Sequence, residues 1–343
     1  MATPLTTPSL RPRTLMSVGK KQTIITGGAG LLGRNLVAAL NVRDETNLLL
    51  VDDLGSGEKW KNLQGLQFDD IVSTAEFREK VRESGIAAGS VVFHLAPSEP
   101  PPSGDVSELI DWNCKLAREL CEACAKTGAR LIYTSSASTY GDGELGFFDN
   151  DNTTPQLKPL DPEGFAKQLF DAWALRNGHF AKIAGLKLFD VYGPGEDYRG
   201  EHASLVAKVF HQIRVDGEAR LPKSRRADVA DGDQAHDFIH VKDVVSMLLF
   251  LQDKPEAVGL FNAGIGQART FADVARAVFA AVGEEPDILY GEMTDAAHAG
   301  FQYSTQADIS RLRSAGFGRA PMSLEEGVKD YVTKYLRPRY PLE

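Results

Sequence analysis

Over the first half of the chain, short apolar runs alternate with longer stretches in which apolar residues return every three or four positions. Thr23–Thr26, Asn47–Val51, Ser90–Leu95, Arg130–Thr134 and Ala184–Phe189 read as strands, whereas Leu31–Leu40, Leu109–Lys126 and Glu163–Leu175 read as helices. Strands with no polar face need cover on both sides, which is the condition of a parallel sheet. Right-handed crossovers between them then make a doubly wound α/β fold.

After Tyr192 the pattern changes. The turn cluster Gly193–Pro194–Gly195 leads to a helix over Ser204–Val215 and then to a loop rich in Pro, Arg and Asp as far as Gln234. Phe238–Val241 and Asp243–Leu251 read as a strand and helix that return to the main sheet. Thr270–Val282 reads as a helix capped by Thr270, with Asp273 three residues on. The expected organisation is a Rossmann-type nucleotide domain (residues 20–191 and 236–263) interleaved with a smaller C-terminal substrate lobe (192–235 and 264–336). Residues 1–19, rich in Pro and Thr and without an acid, read as a disordered extension; they lack the apolar core of a secretory signal.

With 343 residues, 43% of them hydrophobic and 25% charged, the composition is that of an ordinary globular protein. A net charge of −9 argues against a general binder of nucleic acid or of anionic membranes. No run approaches the ~18 apolar residues that a membrane span needs, and a cytoplasmic location is the default. The three cysteines, Cys114, Cys121 and Cys124, share one face of one predicted helix and read as small core residues, so no metal site is expected.

Chemistry enters at Gly27-Gly28-Ala29-Gly30-Leu31-Leu32-Gly33, a glycine loop between a predicted strand and a predicted helix. Such glycines let backbone N–H groups approach a pyrophosphate at a helix N-terminus. Asp52 follows Gly33 by 19 residues, at the end of the next strand, where a carboxylate accepts ribose hydroxyls. The implied ligand is NAD or NADP. Asp53 beside Asp52 repels a 2′-phosphate and favours NAD, while Lys59 and Lys61 pull the other way. Leu95 and Ala96 are further candidate contacts, and Asp69 or Asp70, after the third apolar run, reads either as a cap for the adenine or as a surface turn.

These segments, with YTSSASTYGDG, LFDVYGPGEDYRGEHAS, HDFIHVKDVV and FQYSTQADISRLRSAGF in that order, resemble the extended short-chain dehydrogenase/reductase (NAD-dependent epimerase/dehydratase) family, and within it the heptose-epimerase branch. The resemblance spans Gln22 to Tyr335. It implies tightly held NAD(P), a nucleotide-linked sugar as substrate, transient hydride transfer, and a homo-oligomer built through the Leu109–Lys126 and Glu163 helices. It also implies Ser136 as the hydroxyl that hydrogen-bonds the reacting oxygen and Lys167 as the lysine that holds the nicotinamide ribose.

Four positions depart from the family pattern. Glu163 stands where the family has its catalytic tyrosine, and Arg199 where this branch has a second acid/base lysine. His236 and Gly300 replace arginines that pair with substrate phosphates. Arg199, Arg269 or the loop Lys223–Arg226 are the candidate substitutes. Tyr140 and Tyr192 are alternative phenols, though both sit in turn segments of structural type. Two readings follow: an NAD(P)-dependent epimerase/dehydratase with atypical acid–base residues, Ser136, Glu163, Lys167 and Arg199, or a catalytically impaired regulatory protein of the same fold.

Overall fold

A computed structural model describes residues 20–97, 104–295, 298 and 300–340; the expectation for residues 1–19 lies outside the described residues. The N-terminal half runs β1 (Thr23–Thr26), α1 (Leu31–Val42), β2 (Leu48–Val51), β3 (Asp70–Val72), α2 (Thr74–Ser84), β4 (Val91–His94) and α3 (Val106–Ile110). It continues through a π-helical turn at Asp111–Lys115 into α4 (Leu116–Thr127), then β5 (Arg130–Ser136), α5 (Pro162–Arg176) and β6 (Ala184–Leu188). The second half holds β7 (Asp190–Tyr192), α6 (Leu205–Asp216), β8 (Ala219–Pro222), β9 (Ala235–His236), β10 (Phe238–His240) and α7 (Val241–Asp253). It closes with β11 (Gly259–Ala263), β12 (Arg269–Thr270), α8 (Phe271–Val282), β13 (Ile288–Gly291) and the helices Ser310–Ser314, Leu324–Tyr331 and, after a π-helical turn at Val332–Leu336, Arg337–Arg339.

The main sheet has seven parallel strands in the order β11-β6-β5-β4-β1-β2-β3. The chain runs outward from β1 to β3, then crosses back to lay β4 against β1's other edge. That reversal opens a crevice above the C-terminal ends of β1 and β4, the place where such sheets bind ligands. One apolar layer, including Leu36, Leu40, Phe93, Ile132 and Leu248, packs α1 and α7 on one face. Another, including Phe77, Leu120, Leu131 and Phe170, packs α2, α4 and α5 on the other. All three cysteines are buried in that second layer, as small core residues.

The predicted strands and helices of the first half are all present, with the long helix interrupted by the π-helical turn. One strand assignment is corrected. β10 does not return to the main sheet; it pairs in parallel with β7. The strand that does return is β11, which lies beside β6. A three-residue strand offers few ladder hydrogen bonds, and Phe238 is drawn instead into the core of the C-terminal elements with Phe210, Phe271 and Phe279. Among the described residues, no helix is long and apolar enough to cross a membrane.

The helix α8 begins on the capping box expected from its sequence: Thr270 accepts from the Asp273 amide, and Asp273 accepts from that of Thr270. Thr270→Ala removes one half of this exchange and is expected to cost about 1 kcal/mol of stability, read as a lower chemical-denaturation midpoint with an unchanged slope.

Candidate active site

The glycine loop folds tightly on itself. Gly27 has φ of 69°, and a Cβ there would lie 2.2 Å from the Leu95 carbonyl oxygen. A Cβ on Gly33 would lie 2.2 Å from Gly27 O, so α1 can start only this close to β1 with glycine at both places. Gly28 fills a similar role against Leu50, whose Cβ would lie only 3.0 Å from a Cβ placed there. Gly28 and Gly33 therefore shape the loop from behind, while Gly27, Gly30, Leu31 and Leu32 line a cleft of about 710 Å³. The first turn of α1 carries no acidic side chain. Its open N–H groups and the positive end of its dipole suit a pyrophosphate.

Around that loop the predicted cofactor residues assemble. Asp52, Asp53, Lys59, Leu95 and Ala96 all line the cleft. Asp52 is buried; its Oδ2 accepts from the Ala29 amide at 2.9 Å and its Oδ1 from Lys59 Nζ at 2.6 Å. Asp53 Oδ1 accepts from the Thr74 amide at 3.2 Å. Lys59 thus offsets one of the two negative charges expected to repel a 2′-phosphate. Asp70 is a correction. It begins β3, at the end of that strand away from the cleft, and its Oδ1 accepts from the next amide, Ile71. The position beyond the other end of β3, Thr74, lines the cleft instead.

The reacting end is built by β5 and α5. Ser136 ends β5 and accepts from the Ser138 amide at 3.1 Å. Asp161 caps α5 through the Gly164 amide, and Pro162 opens its first turn. A Cβ on Gly164 would come within 2.8 Å of the Ser138 backbone, so glycine lets the helix start press on the turn that follows Ser136. Glu163 is partly buried and lines the cleft rather than facing solvent. Lys167, one turn on, is buried and donates to the Thr134 carbonyl at 3.3 Å. His94 closes the floor, with Nδ1 2.8 Å from Thr26 Oγ1. Burial, and after it the charge of Lys167, push its pKa down to about 3, so it stays a neutral imidazole.

On the far wall, Arg199 lines the cleft together with Tyr198, His202 and Lys208. Burial, and after it the charge of Arg199, hold the Lys208 ammonium below its usual pKa, so two cations face one space. His236 also lines the cleft, yet its ring is committed: Nε2 stands 2.6 Å from the Gln302 carbonyl oxygen and Nδ1 3.2 Å from Asp190 Oδ2. Burial lowers its pKa, but Asp190 and the Gln302 carbonyl outweigh that and raise it. Phe238, Phe271 and Phe301 surround this histidine and form an aromatic wall.

Several expected substitutes for the lost arginines are elsewhere. Arg269 pairs with Asp273 and Glu325, and Lys223, Arg225 and Arg226 pair with Glu292, Asp295 and Asp228; none lines the cleft. Gly300 is likewise off the wall, whose adjoining residues are Phe301 and Gln302. Tyr140 and Tyr192 are buried, and burial raises both phenols' pKa well above normal. Tyr198, Lys208 and Trp112 reach the cleft without any local motif to announce them; Tyr198 lies in GEDYRGEHAS, Lys208 on α6 and Trp112 in the long helix.

A family model described as the NAD dependent epimerase/dehydratase family matches residues 23–264. The chain belongs to that family. The ADP-L-glycero-D-manno-heptose-6-epimerase of Nitratidesulfovibrio vulgaris (strain Hildenborough) is 42% identical over 314 residues, covering 91% of this chain and 97% of that protein. The enzyme of the same name from Fusobacterium nucleatum is 36% identical, with the same shares covered. Among solved structures, the Helicobacter pylori ADP-L-glycero-D-manno-heptose-6-epimerase has a TM-score of 0.75 at 23% identity, covering 94% of this chain and 98% of its own. The Thermotoga maritima UDP-glucose 4-epimerase has a TM-score of 0.74 at 24% identity, covering 93% and 99%. These two show that the fold is shared. Membership makes the chain an NAD-dependent enzyme of the epimerase/dehydratase type.

Two outcomes test this geometry. Gly33→Ala drives a methyl into Gly27 O and is expected to weaken NAD binding roughly 10- to 100-fold by calorimetric titration. Gly57→Ala, which meets nothing within 4 Å, leaves it unchanged. The raised pKa of His236 means that its ion pair stabilises the fold fully below about pH 6.5 and that this contribution is lost as pH climbs through the raised folded value. Over that window wild-type stability should fall more steeply than that of His236→Phe.

Proposed function

We propose that the protein is an NAD-dependent epimerase of a nucleotide-linked sugar, with the Glu163–Lys167 pair in the place of a tyrosine–lysine pair. The observation that supports this most is the convergence of Ser136, Glu163 and Lys167 on the same cleft as the glycine loop. The residues fit the dinucleotide: glycines whose Cβ atoms would block the loop, an uncapped α1 N-terminus, and Asp52 beneath it. NAD, when bound, supplies a hydride acceptor that later returns the hydride.

The chain's own residues handle the proton and the substrate. Ser136 Oγ hydrogen-bonds the reacting sugar oxygen, and the Glu163 carboxylate accepts its proton as the carbon loses hydride. The proton returns from Glu163 when hydride is delivered to the opposite face. With a reference pKa near ~4.3, a carboxylate is a weak base towards an alcohol, so this site favours a substrate whose leaving proton is acidified by a neighbouring carbonyl or by the Lys167 charge. The Arg199–Lys208 pair takes the substrate's anionic group, replacing the arginines absent at His236 and Gly300. As arginine holds its proton at all accessible pH, Arg199 binds charge rather than moving a proton. The aromatic wall of Phe238, Phe271 and Phe301 suits a planar base.

The substrate we propose is an ADP-linked heptose, the compound named for the bacterial relatives. A homo-oligomer through α4 and α5 and a cytoplasmic location belong to the same proposal; the exposed Phe165 on α5 supports the first. The second reading, a catalytically impaired dinucleotide-binding partner protein, draws support from Glu163 at the position where the family has its tyrosine.

The experiment is an NMR assay of epimer interconversion with an ADP-linked heptose. Glu163→Gln is expected to lower kcat by roughly 10²- to 10⁴-fold with little change in KM. A gain of turnover in Glu163→Tyr from a silent wild type would instead support the second reading.

A further inference from the structure

Glu163, Lys167 and Asp171 follow one another at four-residue intervals on α5, so they form a single stripe of the helix. The first two reach the cleft, whereas Asp171 is wholly buried. Its Oδ1 accepts from the Tyr133 hydroxyl at 2.8 Å and its Oδ2 from Ser135 Oγ at 2.7 Å. The Lys187 ammonium on β6, also wholly buried, stands 3.1 Å from the same Oδ2. Lys187 donates in addition to Thr139 Oγ1, whose own hydroxyl donates to the Ser136 carbonyl at 2.7 Å. One ion pair therefore ties together α5, β5, β6 and the turn after β5.

Two charges withdrawn from water are a poor way to gain stability, because apolar side chains of the same volume fill such a space without the desolvation cost. What the pair adds is geometry. Each Asp171 oxygen has its own donor, so α5 can neither rotate nor slide on β5 without leaving a buried charge unpaired. Three successive β5 residues meet the cleft machinery: the Thr134 carbonyl holds Lys167, Ser135 Oγ holds Asp171, and Ser136 faces the cleft.

We propose that the buried Asp171–Lys187 pair is a positioning device that fixes Lys167 and Glu163 relative to Ser136. Asp171 and Lys187 are positioning residues; neither touches a ligand. The proposal rests on the reading above in which Lys167 holds the nicotinamide ribose, and its test separates the two.

The full chain, freed of nucleotide, is titrated calorimetrically with NAD and with ADP, which lacks the nicotinamide riboside. Lys167→Ala is the reference and should weaken NAD while sparing ADP. Asp171→Asn is expected to weaken NAD by about tenfold and to leave ADP within about twofold. Tyr133→Phe removes one donor to Asp171 and leaves both charges in place; it should move NAD in the same direction by about threefold. This second variant carries the test if Asp171→Asn does not fold. A lowered thermal midpoint with an unchanged NAD-to-ADP ratio in these variants, where Lys167→Ala does move the ratio, overturns the positioning role alone. An unmoved ratio in Lys167→Ala overturns the cofactor pose and the positioning proposal with it.

Discussion

The close approach between the Gly27 carbonyl and the first turn of α1 is the contact on which the rest of the cleft depends. Gly33 sits where any side chain would collide with that carbonyl, and Gly27 sits where one would collide with Leu95. Because both are glycine, α1 begins directly above the ends of β1 and β4, with its N–H groups unshielded. The reversal of strand order at the same point leaves a crevice there, which α5 and the Asp197–His202 loop wall in from the two sides. Binding and chemistry thus share one origin in backbone packing.

Charge in the cleft is distributed differently from what a list of residue types suggests. Asp52 has both oxygens engaged, one by the Ala29 amide and one by Lys59. His236 has both nitrogens engaged, and the arginines of the outer loops are held by neighbouring acids. Glu163 and Lys167 line one side of the cleft, and Arg199 and Lys208 the other. In the function proposed above, this set binds the substrate's anionic group and places a carboxylate, not a phenol, beside the reacting carbon.

The correspondence between sequence and structure is uneven for physical reasons. β1, β2, β4, β5 and β6 are buried on both faces, so their apolar runs stand out, and the helices between them carry a clear period. β10 and β11 are both short and apolar, and their local patterns do not say which of them pairs with β6; burial of Phe238 among the C-terminal aromatic residues decides it. Asp70 looked like a cofactor ligand because it closes an apolar run, but a strand has two ends, and Asp70 occupies the one away from the crevice. Tyr198 and Lys208 sit on a loop and a helix face whose direction is set by distant contacts, such as the Asn62 amide bridging Ala29 and Gly195.

What the sequence determined by itself is everything governed by local sterics and periodicity: the glycine loop, the alternation of strand and helix, the Thr270 capping box, and the four-residue spacing that puts Glu163, Lys167 and Asp171 on one helix stripe. Only the tertiary structure decided which charges meet a counter-ion. Whether a side chain meets a counter-ion depends on residues far away in the chain, as Asp171 does with Lys187 and His236 with Asp190, and such pairings leave no periodic trace for a sequence to carry.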